Sequence, residues 1–174
     1  MKINQNLMLI ILAVIAVLTI TAASLRLIFF DILIINGDSM FPTIRTGDVV
    51  LSNKIVYKYE DLKHGDIIAF KVSIKRLVKR IIGISGDTVE LKNGIIYING
   101  DRIQNNIFYI TEKAKKKSFG PHIVRQNHVF VLGDNISISI DSRNFGEIPY
   151  DDVIGKADYI CYPPDRAGKI QHWE

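Results

Sequence analysis

Apolar and polar positions divide this chain into two unlike parts. Leu7–Leu25 runs for 19 positions without a charge. As a helix rising about 1.5 Å per residue it spans about 28 Å, close to the hydrocarbon thickness of a bilayer. Lys2 precedes it and Arg26 follows it. A cleaved secretory signal is the rival reading, and Thr21-Ala22-Ala23-Ser24 offers small residues for a cut. The apolar part of such a signal, however, normally runs only about 7–15 residues. The predicted organisation is a short N-terminal segment (1–6), a membrane-spanning helix (7–28) and a single domain (29–174). Positive charge on the two flanks is nearly equal, so charge bias leaves the orientation of the span open.

Beyond the helix the pattern is that of short strands. Phe30–Ile35 is apolar throughout, and Asp48–Ser52 and Asp66–Lys71 are each entered through Gly-Asp. Arg76–Ile84 is longer. Thr88–Leu91 and Ile95–Ile98 are β-rich runs flanking Lys92-Asn93-Gly94, and Asn-Gly between such runs is a strong hairpin signal. Asn99-Gly100 predicts a second turn directly after. Residues 101–128 are more polar and irregular and read as a small excursion. Val129–Leu132 and Val153–Tyr162 complete the strands, and Pro163-Pro164 ends the last one. Many short strands with regular turns predict a mostly β fold, an antiparallel sandwich or barrel-like domain.

Composition adds limits. The chain has 174 residues. Without the first 30, about 144 remain, enough for one domain with its own core. Net charge is +4, which suits an anionic membrane surface as well as nucleic acid. The basic run Lys113-Ala114-Lys115-Lys116-Lys117 reads as a solvated or lipid-facing loop. It has no aromatic residue within it, so the stacking pattern of a nucleic-acid binder is missing. The single cysteine, Cys161, excludes an intrachain disulfide and a cysteine metal site, and its strand predicts a small core residue. No metal or organic cofactor is implied, and a monomer is assumed.

Three segments carry candidate chemistry. Ser39 lies in Asn36-Gly37-Asp38-Ser39-Met40-Phe41-Pro42-Thr43, a polar turn straight after an apolar strand. A serine hydroxyl needs a base before it is a useful nucleophile. None of the four histidines (His64, His122, His128, His172) lies in a segment resembling a catalytic motif, and surface or loop positions are expected for them. Lysine can serve instead if burial removes its charge. Lys79 stands between aliphatic neighbours in Arg76-Leu77-Val78-Lys79-Arg80-Ile81-Ile82, although a plain basic patch with Lys75, Arg76 and Arg80 reads the same residues. The third segment runs from Gly133-Asp134-Asn135 to Asp141-Ser142-Arg143, with Ser137, Ser139 and Asp141 alternating with isoleucines. If extended, it lines one side with polar groups.

In order and spacing these segments resemble the boxes of the bacterial type I signal peptidases, membrane-bound serine–lysine proteases that remove signal peptides from exported proteins. Any one box is weak, but three in order are a strong signal. The endoplasmic-reticulum-type relatives carry histidine where this chain has Lys79. The resemblance implies Ser39 as nucleophile, Lys79 as general base, Ser139 as the hydroxyl that orients the lysine, and Asp141 and Arg143 as supports of that loop. It implies shallow pockets for small side chains at positions −1 and −3 (Ala-X-Ala), lined by Leu33, Ile35, Ile44 and Val78, with the substrate bound as an extended strand. It further implies partners that are signal peptides and the lipid bilayer, a single-pass protein of the cell membrane, and a catalytic domain outside the cytoplasm. The lone anchor and short 101–128 stretch are similar to relatives from Gram-positive bacteria. Two positions depart from the wider pattern: Gly37 cannot supply the second oxyanion donor that some relatives take from a serine side chain, and Ser85 stands where proline is usual. The Ser39 backbone N–H is the one oxyanion donor expected. A membrane-tethered relative that binds peptides without cleaving them is the alternative.

Overall fold

A computed structural model of the chain describes residues 5–55, 62–103 and 107–173. Lys2 and part of the expected excursion (104–106) lie outside the described residues. The first element is helix α1 (Gln5–Phe29). Its apolar stretch Gln5–Ser24 is long enough to cross a membrane and is nowhere buried against the rest of the chain. A soluble core helix would cover such a surface with its own protein, so this helix is suited to the apolar interior of a membrane. The helix passes without a linker into β1 (Phe30–Ile34).

The remaining strands are β2 (Val49–Asn53), β3 (Ile67–Val72), β4 (Lys75–Gly83), β5 (Thr88–Lys92), β6 (Ile95–Ile98), β7 (Asp101–Arg102), β8 (Phe119–Ile123), β9 (His128–Leu132), β10 (Ile148–Pro149), β11 (Val153–Tyr162) and β12 (Gly168–Lys169). A one-turn helix, α2 (Ser142–Phe145), precedes β10. Eight strands make a large antiparallel sheet in the order β1-β2-β11-β3-β4-β9-β10, with β12 beside β11. Four more form a second sheet, β7-β6-β5-β8. The mostly β, sandwich-like architecture expected from the strand pattern is therefore present.

The expected excursion is more ordered than its polarity suggests: β7 and β8 lie within it, and β8 pairs with β5. Their side chains are largely exposed, so period-2 burial left little trace in the sequence. Both predicted turns are two-residue hairpin loops, because Lys92 pairs with Ile95 and Ile98 with Asp101. Asn93, Gly94, Asn99 and Gly100 all take positive φ, as the favoured hairpin turns require.

The core lies between and within these sheets. Ile82, Phe130 and Leu132 of the large sheet meet Val89, Leu91 and Ile96 of the small one. On β3, Ile67 and Ala69 join one cluster and Ile68 and Phe70 another, so this central strand is buried on both faces. Cys161 departs from expectation and is exposed. Irregular pairing of β11 with β2 between Ala157 and Tyr159 shifts the alternation, so that Ile160, not Tyr159 or Cys161, turns inward.

Candidate active site

The site forms where the turn after β1, the middle of β4 and the loop after β9 converge. Ile35 continues the ladder by donating its N–H to Asp48 and accepting from Gly47. The next residues then turn away from the sheet. Gly37 takes φ of 113°, a conformation costly for any residue with a Cβ. Thr46 ties the turn down: its hydroxyl accepts from the Gly37 N–H at 3.0 Å and donates to Asp38 Oδ1 at 2.9 Å. Ser39 is left half-buried at the rim. Its carbonyl accepts the Asn135 N–H at 3.0 Å, which joins the first segment to the third. Its own N–H has no acceptor among the described residues, so it is available as an oxyanion donor. A side chain at position 37 would meet open space, but the backbone there disfavours one.

Lys79 is 3% exposed, and its Nζ donates to Ser39 Oγ at 2.7 Å and to the Val78 carbonyl at 3.0 Å. Burial lowers its pKa from 10.5 to about 8; the nearby Asp141 and Asp134 carboxylates oppose that shift without cancelling it. The basic-patch reading fails on both counts, since neither Lys79 nor Arg80 is on the surface.

Arg80 points into a different network, one that the sequence did not reveal. Its guanidinium forms a bidentate pair with Asp134, Nε to Oδ1 at 2.7 Å and Nη2 to Oδ2 at 2.8 Å, with both side chains fully buried. Nη1 donates to the Gly65 carbonyl at 2.8 Å, and the Thr43 hydroxyl donates to Asp134 Oδ2. This pair links β4 to the Ser39 turn and to the start of the third segment. Its trace in the sequence is only Arg80 alternating with the apolar Val78 and Ile82, a pattern that Lys79 shares with Leu77 and Ile81.

Asp141 and Arg143 hold the third segment in a closed loop. Arg143 Nε and Nη2 each reach Asp141 at 2.8 Å, and Arg143 also donates to the Ile136 and Ser139 carbonyls. Asp141 Oδ2 accepts the Gly133 N–H at 3.1 Å, and its side chain caps α2 by accepting from the Arg143 N–H. From the expected excursion, Lys117 reaches the same loop and donates to the Ser137 carbonyl at 2.9 Å. It therefore corrects the picture of a wholly solvated basic run.

Ser139 stands differently from its expected place. Its Oγ is buried but makes no hydrogen bond, and Lys79 takes the Val78 carbonyl as its second acceptor. The hydroxyl packs instead against the Cα of Gly133. A Cβ at Gly133 would lie 2.3 Å from both Ser139 Oγ and the Ser39 carbonyl, so only glycine lets the three segments close up here.

Beside the dyad lies a groove of about 450 Å³ between residues 32–37 and 76–79, and Leu33, Ile35 and Val78 line it. Ile44 does not; it is fully buried in the core beneath, because the turn after Met40 carries it inward. The groove has two open backbone edges. Among the described residues β1 pairs only with β2, and β4 pairs with β9 only from Arg80 onward, leaving 75–79 unpaired on that side.

The histidines are elsewhere: His64 pairs with Asp87 and His122 with Glu147, while His172 faces Asp66 and Asp158. His122 and His128 belong to strands and not to loops. Ser85 Oγ accepts the Asn127 N–H at 2.9 Å, so the residue that replaces the usual proline ties down a neighbouring turn. Among the described residues no cluster of His, Cys, Asp or Glu is placed to hold a metal ion.

Comparison with known proteins finds relatives over most of the chain. The chain is 34% identical over 158 residues to signal peptidase I S of Bacillus subtilis (strain 168), covering 86% of each chain. It is 36% identical over 159 residues to signal peptidase I P of Bacillus subtilis subsp. natto, again covering 86% of each. A solved signal peptidase I from Enterococcus faecalis V583 is 30% identical, with a TM-score of 0.49 over 56% of this chain and 97% of that one. The model of the family described as signal peptidase, peptidase S26, matches residues 6–162, and the chain belongs to that family of serine endopeptidases.

Proposed function

We propose that this chain removes signal peptides from exported preproteins through a Ser39–Lys79 dyad and an acyl-enzyme. The observation that carries the reading is the 2.7 Å contact between Ser39 Oγ and a buried Lys79 Nζ. Neutral Lys79 takes the hydroxyl proton as Ser39 Oγ attacks the scissile carbonyl. The Ser39 N–H stabilises the oxyanion that forms. Lys79 then passes the proton to the departing amine of the mature protein, and the signal peptide remains as an ester on Ser39. A water deprotonated by Lys79 attacks that ester, the Oγ–acyl bond breaks as Lys79 returns the proton to Ser39 Oγ, and the signal peptide leaves as the free acid.

The groove suits an extended peptide that adds its backbone to the open edges of β1 and β4. Leu33, Ile35 and Val78 wall a shallow space that favours small residues at −1 and −3, the Ala-X-Ala pattern. Asp141, Arg143 and Ser139 support the wall behind the lysine. Residues 1–6 lie in the cytoplasm, 7–28 cross the cell membrane, and 29–174 form the catalytic domain on the far side, where signal peptides emerge.

The test is cleavage of a preprotein ending its signal in Ala-X-Ala, with the N-terminus of the product sequenced. Ser39→Ala and Lys79→Ala should each abolish cleavage at that bond. Full activity in either variant sinks the dyad, and wild type that binds the preprotein without turnover makes the chain a binding relative instead.

A further inference from the structure

Arg166 stands at the end of a tight reversal near the C-terminus. Pro163-Pro164 stop β11, a single 3-10 turn covers Pro164–Arg166, and β12 runs back along β11 with Gly168 opposite Ile160. The Arg166 N–H donates to the Pro163 carbonyl at 3.0 Å, and the Ile170 N–H to the Asp158 carbonyl at 2.9 Å. The backbone around Arg166 is thereby fixed on both sides.

Its guanidinium reaches back to the segment after Ser39. Nε and Nη2 grip the two carboxylate oxygens of Asp48 at 2.9 and 2.8 Å, and Nη2 also donates to the Thr43 carbonyl at 3.1 Å. Asp48 is 1% exposed, and its Oδ2 accepts the Arg45 N–H at 2.8 Å as well. Burial pushes the Asp48 carboxyl up, but the bonds from Arg166 and Arg45 outweigh it and hold the group below its ordinary range. The carboxylate thus stays charged while buried, a state that needs its partner.

The Ser39 turn is held at two points. Asn135 donates its N–H to the Ser39 carbonyl, and Arg166 takes the Thr43 carbonyl four residues later. Between them the Ile44 N–H donates to the Met40 carbonyl at 2.9 Å. The Thr43 hydroxyl is already engaged by Asp134. Arg166 does not line the groove beside the dyad.

We infer that Arg166 is a positioning residue for the Ser39 chemistry, setting the Ser39 turn through the Thr43 carbonyl and Asp48 so that Oγ meets Lys79 in line for attack. The inference rests on the Ser39–Lys79 reading. Its planar fork serves both acceptors at once, which a neutral side chain cannot do. A misplacement of about 1 Å at a reacting group costs up to about 100-fold in rate.

The experiment compares full-length wild type, Arg166→Met, and Arg166→Met with Asp48→Asn in detergent, by urea unfolding, amide hydrogen exchange and preprotein cleavage. Arg166→Met should lower the urea midpoint, because it leaves Asp48 charged and unpaired. Adding Asp48→Asn removes that charge and should restore most of the midpoint. In both variants kcat should fall by about 10- to 100-fold with KM within about twofold of wild type. Exchange over residues 40–47 should quicken several-fold in both, while β5 and β6 keep their protection. Recovery of kcat along with the midpoint in the double variant overturns the inference, since Arg166 then serves stability alone. Unchanged exchange over 40–47 overturns it too, whatever the activity. Cleavage that persists in Ser39→Ala refutes the dyad instead, and the exchange result still decides whether Arg166 holds the turn.

Discussion

Burying Lys79 costs stability that the fold recovers when the lysine is replaced, and Lys79→Met measures that cost. The pKa falls from 10.5 to about 8, a difference worth about 3 kcal/mol at pH values below both. Between the two values the unfolded chain holds a proton that the folded chain has released, so wild-type stability rises with pH through that window. Below pH 8 the full cost is present, and above 10.5 it is gone. Methionine has similar length and no charge to bury. At pH 7 the variant should therefore be more stable than wild type by about 1–3 kcal/mol, after allowance for about 1 kcal/mol from the lost hydrogen bond to Ser39. That corresponds to a Tm higher by roughly 5 °C for a protein of this size. The assay is urea unfolding of the intact chain in detergent at pH 7 and pH 10, with unchanged urea dependence as the check that the unfolded state is the same. The advantage should shrink toward zero at pH 10, because other titrating groups are common to both proteins. A variant less stable than wild type at pH 7, or a difference independent of pH, refutes the reasoning.

Single-turnover cleavage by the wild type should rise about tenfold from pH 7 to a plateau above pH 9, because only about one Lys79 in ten is neutral one unit below its pKa of about 8. A rate still climbing tenfold per unit at pH 10 counts against a buried base. Gly133→Ala forces a Cβ against Ser139 Oγ and the Ser39 carbonyl, so it should cost about 1–3 kcal/mol in unfolding and lower kcat more than it raises KM. Arg80→Met leaves Asp134 buried without its partner and should cost about 3–5 kcal/mol, whereas adding Asp134→Leu should restore much of that loss. Equal stability of the single and double variants would show that the pair is not coupled.

Legibility in the sequence followed locality. The two Asn-Gly turns and the apolar helix were readable because each depends on residues adjacent in the chain. Cys161 was misplaced because one irregular pairing in β11 inverts the alternation beyond it. Ile44 was assigned to the groove by position along the chain, but the turn after Met40 buries it. Arg80 and Lys79 are neighbours with opposite fates: one charge is neutralised by Asp134, the other faces Ser39 with no carboxylate in hydrogen-bond contact. No property of the dipeptide distinguishes them.

The sequence by itself determined the membrane-spanning helix, the mostly β domain after it, and the segments carrying Ser39, Lys79 and the Ser139–Arg143 loop. Hydrophobic period, turn chemistry and motif order are written in neighbouring residues, so they survive without coordinates. The tertiary structure alone decided that Ser39 and Lys79, 40 positions apart, meet at 2.7 Å, that Ser139 packs on Gly133 without a hydrogen bond from its hydroxyl, and that β1 and β4 leave an open groove between them. Each depends on how distant strands pair and how closely their backbones approach. That approach also withdraws water from Lys79, which is the physical condition for a lysine to act as a base.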